Sequence, residues 1–170
     1  MQNFVKSKEP AFCPCCGVKL NGRWENLSKG LVKSLIKFRQ GVLDKNQNSI
    51  HLQTDLVLTK NEYNNFQKLR YHGLIAHYVN PVTKEPVSGF WLLTRRGNLF
   101  AKGQTKIPKK VMIFRNKIFE RSDEYVSIED VMKDPTFNHW TSKSDTHFEF
   151  LDIHDVEDIT FDLNGQGKLF

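Results

Sequence analysis

Between residues 26 and 44 an apolar side chain recurs every three or four positions: Leu27, Leu31, Leu35 and Phe38, with Ile36 and Leu43 beside them. That period belongs to a helix with one buried face. Lys33, Lys37 and Arg39 fall mostly off the stripe, which predicts a basic outer face, and Gly30 and Gly41 weaken the helix and are expected at its edges. After the polar turn Lys45-Asn-Gln-Asn-Ser49, Ile50, Leu52, Leu56 and Leu58 alternate well enough for a short strand over 50–58. Thr59 and Glu62 then have the spacing of a capping box, so a second helix starts there. Tyr63, Phe66 and Leu69 form its buried stripe, and Gly73 is its stop. The other positions of that helix, Lys60, Asn61, Asn64, Asn65, Gln67, Lys68 and Arg70, are polar.

Residues 74–79 and 89–93 read as two strands joined by a loop over 80–88, whose two prolines stiffen it and argue against a strand. Thr94 caps a short helix that Gly103 ends. Residues 111–120 alternate around Arg115-Asn-Lys117, a second hairpin, and Ser127 with Asp130 offers another capping box. The resulting expectation is one α+β domain. It is divided into a cysteine knuckle over 1–25, a winged helix-turn-helix core over 26–121, and an acidic C-terminal extension over 122–170.

The winged-helix expectation rests on element order and on a resemblance. The run from Leu58 to Gly103, LTKNEYNNFQKLRYHGLIAHYVNPVTKEPVSGFWLLTRRGNLFAKG, resembles prokaryotic winged-helix proteins. A polar helix ends in a Leu-x-x-x-Gly-Leu-Ile junction, and a wing and a Trp-x-Leu-Thr-x-x-Gly turn follow. The cysteine motif in front and the Ile-Pro-Lys-Lys-Val segment behind also resemble phage and mobile-element proteins. Winged helices bind DNA, RNA and proteins alike, so the resemblance implies a fold more than a function.

Charge sharpens the functional expectation. The formal net charge of +6 is split along the chain: residues 1–121 carry 22 Lys and Arg against 7 Asp and Glu, and residues 122–170 carry 3 against 12. A basic body suits a polyanion held through phosphate contacts, and the acidic end suits a basic partner or the chain's own basic face. Asn61, Asn64, Asn65 and Lys68 share one helical face opposite Tyr63, Phe66 and Leu69. Asn pairs bidentately with adenine, and Lys or Arg with guanine, so this face is a candidate base-reading edge, with Lys60 and Arg70 on the same helix. Lys60, Arg95, Arg96, Lys106, Lys109 and Lys110 are candidates for phosphate contacts, and Lys84 for a contact from the wing. The wing holds Lys84 beside Glu85 and is otherwise uncharged, which fits a protein-contact loop as readily as a minor-groove arm. The plain alternative is a solvated Lys- and Asn-rich surface.

Cys13-Pro-Cys-Cys16-Gly has the Cys-x-x-Cys-Gly spacing of a zinc knuckle, but all three cysteines of the chain lie within it. Cys13 and Cys16 are the candidate ligands of a structural zinc ion, with either Cys15 and a histidine such as His51, or two histidines among His51, His72 and His77, needed to complete four. The alternative is a knuckle that keeps its turn without metal. Three clustered thiols make a poor disulfide framework, so reduced cysteines in a soluble, cytoplasmic protein are expected. No apolar run approaches a membrane span or a signal peptide.

Asp152-Ile-His-Asp-Val-Glu-Asp158 surrounds His154 with carboxylates, but Ile153, Val156 and Ile159 read as strand-core positions rather than as a metal site. Residues 148–162 interleave carboxylates with large apolar side chains, as a segment for a basic protein groove would. No phosphate loop, nucleophile elbow or zinc-protease motif occurs. The expectation is a non-enzymatic DNA-binding (or RNA-binding) protein, and the rival is a protein-binding inhibitor or adaptor from a mobile element.

Overall fold

A computed structural model of the chain describes residues 11–133, apart from Cys13, Val18, Asn21 and Asn48. The acidic segment 148–162, the Asp152–Asp158 stretch and Cys13 therefore lie outside the described residues.

Ser28 starts the long helix α1, Lys29–Lys45, its Oγ accepting the Leu31 N–H at 3.3 Å. Asn46 ends it in the left-handed conformation, φ 53°, with its N–H returned to the Leu43 and Val42 carbonyls. Leu31, Leu35, Phe38 and Leu43 are buried, as the periodicity predicts, and Val32 and Val42 are buried with them. Two residues depart from the prediction. Gly41 lies inside the helix rather than at its edge, because a Cβ there would stand 2.5 Å from the Leu56 side chain and 3.1 Å from that of Ile50. Arg39 is buried instead of outward-facing, and its Nε donates to Asn98 Oδ1 at 2.8 Å.

The strand expected over 50–58 is cut to β4, Ser49–His51. Asp55 ends it: its carboxylate accepts the His51 N–H at 2.8 Å, and its own N–H donates to the His51 carbonyl at 3.0 Å. Leu52, Leu56 and Leu58 still reach the core, but from a turn and an irregular stretch. The Thr59–Glu62 capping box forms in both directions and opens α2, Lys60–Asn65. The expected single helix over 60–72 then tightens into a 3-10 helix, Phe66–His72, closed by Gly73 at φ 74°. Three residues per turn bring Phe66, Leu69 and His72 into one line, and all three are buried.

Strands β5, Ile75–Val79, and β6, Pro86–Leu93, form the first hairpin, with β4 on the other side of β6 in the order β4-β6-β5, all antiparallel. Pro86 belongs to β6 as its first residue, opposite Val79, a position that asks no ladder hydrogen bond of it. The expected short helix is α3, Arg95–Ala101, with Thr94 as its N-cap. The chain continues through β7, Ile107–Pro108; β8, Lys110–Phe114; β9, Lys117–Arg121; β10, Tyr125–Val126; and α4, Ile128–Met132, which opens on the Ser127–Asp130 capping box. The β8–β9 turn holds Arg115 and Asn116 at φ 49° and 63°, the mirror-image turn that suits strand twist.

Near the N-terminus, β1, Ala11–Phe12, and β2, Lys19–Leu20, form a small hairpin that carries the cysteine turn. β3, Arg23–Asn26, spans the expected boundary at residue 25 and adds to β8, giving a second sheet in the order β3-β8-β9. At the other boundary, β10 pairs with β7, and Val126 and Ile128 belong to the main core with α1 and the 3-10 helix. Residues 122–133 are thus part of the body. The chain is mixed α+β, and among the described residues no helix is long and apolar enough to cross a membrane.

Candidate nucleic-acid interface

Because Thr59 and Glu62 fix the start of α2, the phase of its polar face is set. Lys60, Asn61 and Asn64 are exposed on it. Asn65 Nδ2 donates to the Asn61 carbonyl and to Asn61 Oδ1, both at 2.9 Å, which ties two of the four predicted reading residues to each other. Glu62 also takes Lys37 Nζ from α1 at 2.7 and 3.0 Å, and this cation together with the Thr59 N–H holds the carboxyl below its ordinary range. Lys68, on the 3-10 helix, lies 3.4 Å from Glu25 of β3, and Arg23 reaches the same carboxylate at 2.9 Å.

These contacts line up α2 with the outer edge of β3. Between them and the start of α1 runs a groove of ≈ 310 Å³ lined by Trp24, Asn26, Ser34, Asn61, Asn65 and Lys68, with Glu25 and Glu62 in its wall. On its sheet side, Lys110 Nζ stands 4.9 Å over the Trp24 ring. Trp24, Glu25 and Lys37 are members of this surface that sequence reasoning did not single out. The four-residue strand that carries two of them is too short for its alternation to register, and the α1–α2 pairing that brings Lys37 in is tertiary.

The other predicted cations are spread out. Lys109 pairs with Glu124 at 3.2 Å, and Lys106 stands close enough to Asp130 to help depress its pKa. Both therefore sit against acidic residues, Glu124 just before β10 and Asp130 in α4. Arg95 and Arg96 open α3, where Arg96 is close to His72. Lys84 sits at φ 62° in the β5–β6 loop, where Asn80 Oδ1 accepts the Val82 and Thr83 N–H groups at 2.8 and 3.2 Å and Val82 is 86% exposed.

Arg70 is a correction. It is 9% exposed and points into the body, because the 3-10 winding turns it away from the α2 face. Its Nη2 donates to the Tyr71 hydroxyl at 2.9 Å, and Nη1 lies 3.3 Å from His77 Nε2. The Tyr71 hydroxyl in turn donates to Asn116 Oδ1 at 3.1 Å, linking the 3-10 helix to the β8–β9 turn. His77 stacks on Trp91 with centroids 3.9 Å apart, and burial, then the Arg70 charge, push its pKa down to about 4. Burial and Arg96 bring His72 down to about 4 as well.

For the metal expectation, Cys15 and Cys16 are exposed in the turn ahead of Gly17, whose φ is 68°. His51 has other engagements: Nδ1 accepts the Thr54 N–H at 3.3 Å, and the ring lies edge-on to Phe90 at 4.9 Å. Among the described residues no group of three His, Cys, Asp or Glu side chains is placed to hold a metal ion. The donor set that bears on zinc is therefore the knuckle itself, two exposed thiols and Cys13.

Comparison with protein-family models, with curated proteins and with solved structures gives no match to this chain.

Proposed function

We propose that the chain is a non-enzymatic nucleic-acid-binding protein of the cytoplasm, built as a winged helix, that docks duplex DNA along α2. The observation that carries this reading is the exposed face of Lys60, Asn61 and Asn64 beside a groove lined by Lys68, with Lys37 paired to Glu62 of its wall. Amide and ammonium side chains on a short helix with a fixed start suit base edges and phosphates together. The β4-β6-β5 order, with a hairpin directly after the polar helix, supports the winged-helix assignment. A structural zinc ion on Cys13 and Cys16 is part of the proposal, and metal analysis of the purified protein should find about one zinc per chain.

The test is a duplex-binding titration at several salt concentrations. Wild-type affinity should fall steeply as salt rises, and the Lys60→Ala, Asn64→Ala double variant should bind roughly tenfold or more weakly. Equal binding by the two proteins removes α2 as the docking element.

The second reading, a protein-binding adaptor or inhibitor, is favoured by the β5–β6 loop: an apolar Val82 held out at the tip of a turn braced by Asn80. It predicts a stoichiometric protein partner that survives nuclease treatment and is lost on Val82→Asp.

A further inference from the structure

The β3-β8-β9 sheet has two faces, and a buried cluster lies against one of them. Val111, Ile113 and Ile118 point inward and cluster with Tyr71, Ala76 and Val79. Strand alternation places Lys110, Met112 and Phe114 on the opposite face, and the register sets Trp24 beside Met112 and Lys117 beside Phe114. The β8–β9 ladder shifts register between Met112 and Ile113, so Phe119 is the extra residue of a bulge. A bulge re-aims its side chain, and Phe119 is 43% exposed. It packs edge-on against Phe114, with centroids 5.6 Å apart. Arg115, at the exposed turn, lies 5.2 Å over the other end of the pair, on the Phe114 ring. Lys110 lies over Trp24.

One sheet face therefore carries the half-buried Trp24 and Phe114 and the exposed Phe119, with buried Met112 beside Trp24, and each aromatic is next to a cation or to another ring. From Lys109 to Phe119 the chain has Lys109, Lys110, Arg115 and Lys117 and no carboxylate. Among the described residues the acid on this face is Glu120, half-buried opposite Met112. Packing explains Met112, which is buried. It does not explain an exposed phenylalanine at a bulge flanked by exposed arginine.

We propose that this face is a stacking platform for single-stranded nucleic acid. Unpaired bases lie on Phe119, Phe114 and Trp24, and Arg115 with Lys110 holds the backbone phosphates. Aromatic rings on a sheet suit unstacked bases of any sequence, and a duplex, whose bases face one another, has no ring to offer them. The platform shares Trp24 with the α2 groove, but Phe114, Arg115 and Phe119 lie outside that groove's lining and the ligand differs, so the proposal does not rest on the α2 reading.

The experiment is fluorescence anisotropy of a labelled oligothymidine with the full chain at low salt, with unlabelled duplex as competitor. Wild type should bind, and duplex should compete poorly. Phe119→Ala should weaken binding roughly 5- to 100-fold, Phe119→Trp should retain it, and Arg115→Gln should flatten the salt dependence by about one phosphate contact. Phe119→Leu keeps apolar bulk at the bulge without an aromatic face. It should bind as weakly as the alanine variant, which separates stacking from any effect on folding. The Lys60→Ala, Asn64→Ala variant should bind oligothymidine like wild type, so this result and the duplex titration fail independently. Absence of oligothymidine binding, equal binding by Phe119→Leu and wild type, or efficient competition by duplex would overturn the proposal.

Discussion

His72 shows how a single residue ties stability to pH. It is 2% exposed, and neither ring nitrogen has a hydrogen-bond partner among the described residues. Its pKa falls from 6.5 to about 4 on folding, first through burial and then through Arg96. Above pH 6.5 the ring is neutral in both states and stability is complete. As pH falls toward 4, the unfolded chain takes up a proton that the folded chain refuses, so stability is lost, by roughly 3 kcal/mol at the lower end. His77 adds a smaller loss of the same sign, because its ring is only partly buried. Asp55, Glu62 and Asp130 have lowered values and unfolded references of 3.8, 4.5 and 3.8, so the window from pH 6.5 to 5 belongs to the histidines. Urea midpoints measured across that window should drop for wild type and drop clearly less for His72→Leu. Parallel curves for the two proteins would remove His72 as the cause. Nothing in the sequence distinguishes this histidine from His51, since burial comes from the 3-10 phase and from β5, not from neighbours along the chain.

Among the elements, the helix starts were legible and the strand ends were not. Thr59, Thr94 and Ser127 each cap the helix expected of them, because a cap is a local bond across three residues. Thr94 has a second role that is not local. Its hydroxyl donates to the Gly73 carbonyl at 2.7 Å while accepting the Gly97 N–H at 2.9 Å, so it clamps the end of the 3-10 helix to the start of α3. Gly97 makes that approach possible, since a Cβ there would stand 2.0 Å from the Leu74 carbonyl oxygen. Thr94→Val leaves two buried backbone groups short of a partner and should cost about 2–3 kcal/mol in denaturant unfolding, more than an exposed cap removal such as Thr59→Ala at about 1. If the two variants unfold at the same midpoint, the clamp is not what joins these elements. The truncation of β4 was illegible for the converse reason. Ile50, Leu52, Leu56 and Leu58 keep an alternating pattern because the first two lie in the core and the last two pack against it, and the side chain of Asp55 bends the path between them.

At the scale of the whole molecule, the division of charge does not coincide with a division of structure. The acidic count begins at residue 122, yet Val126 and Ile128 sit in the same core as Leu35, Phe66 and Phe100. A chain cut after Glu124 should therefore be roughly 4 kcal/mol less stable than one cut after Lys133, from the loss of two buried aliphatic side chains, a difference that thermal or urea unfolding would read directly. Equal stability of the two truncations would place residues 125–133 outside the folding unit. By itself the sequence determined the α+β class, the capped helix starts, the β8–β9 turn and the polar positions of α2, because caps and tight turns act over a few residues. Only the tertiary structure decided that Arg70 and Arg39 face inward, that Tyr63, expected in the buried stripe, is 40% exposed, that Lys106 and Lys109 sit against Asp130 and Glu124, and that Trp24, Phe114 and Phe119 share a sheet face. Those outcomes depend on helix winding, strand register and a bulge, which are settled by packing between residues far apart in the chain.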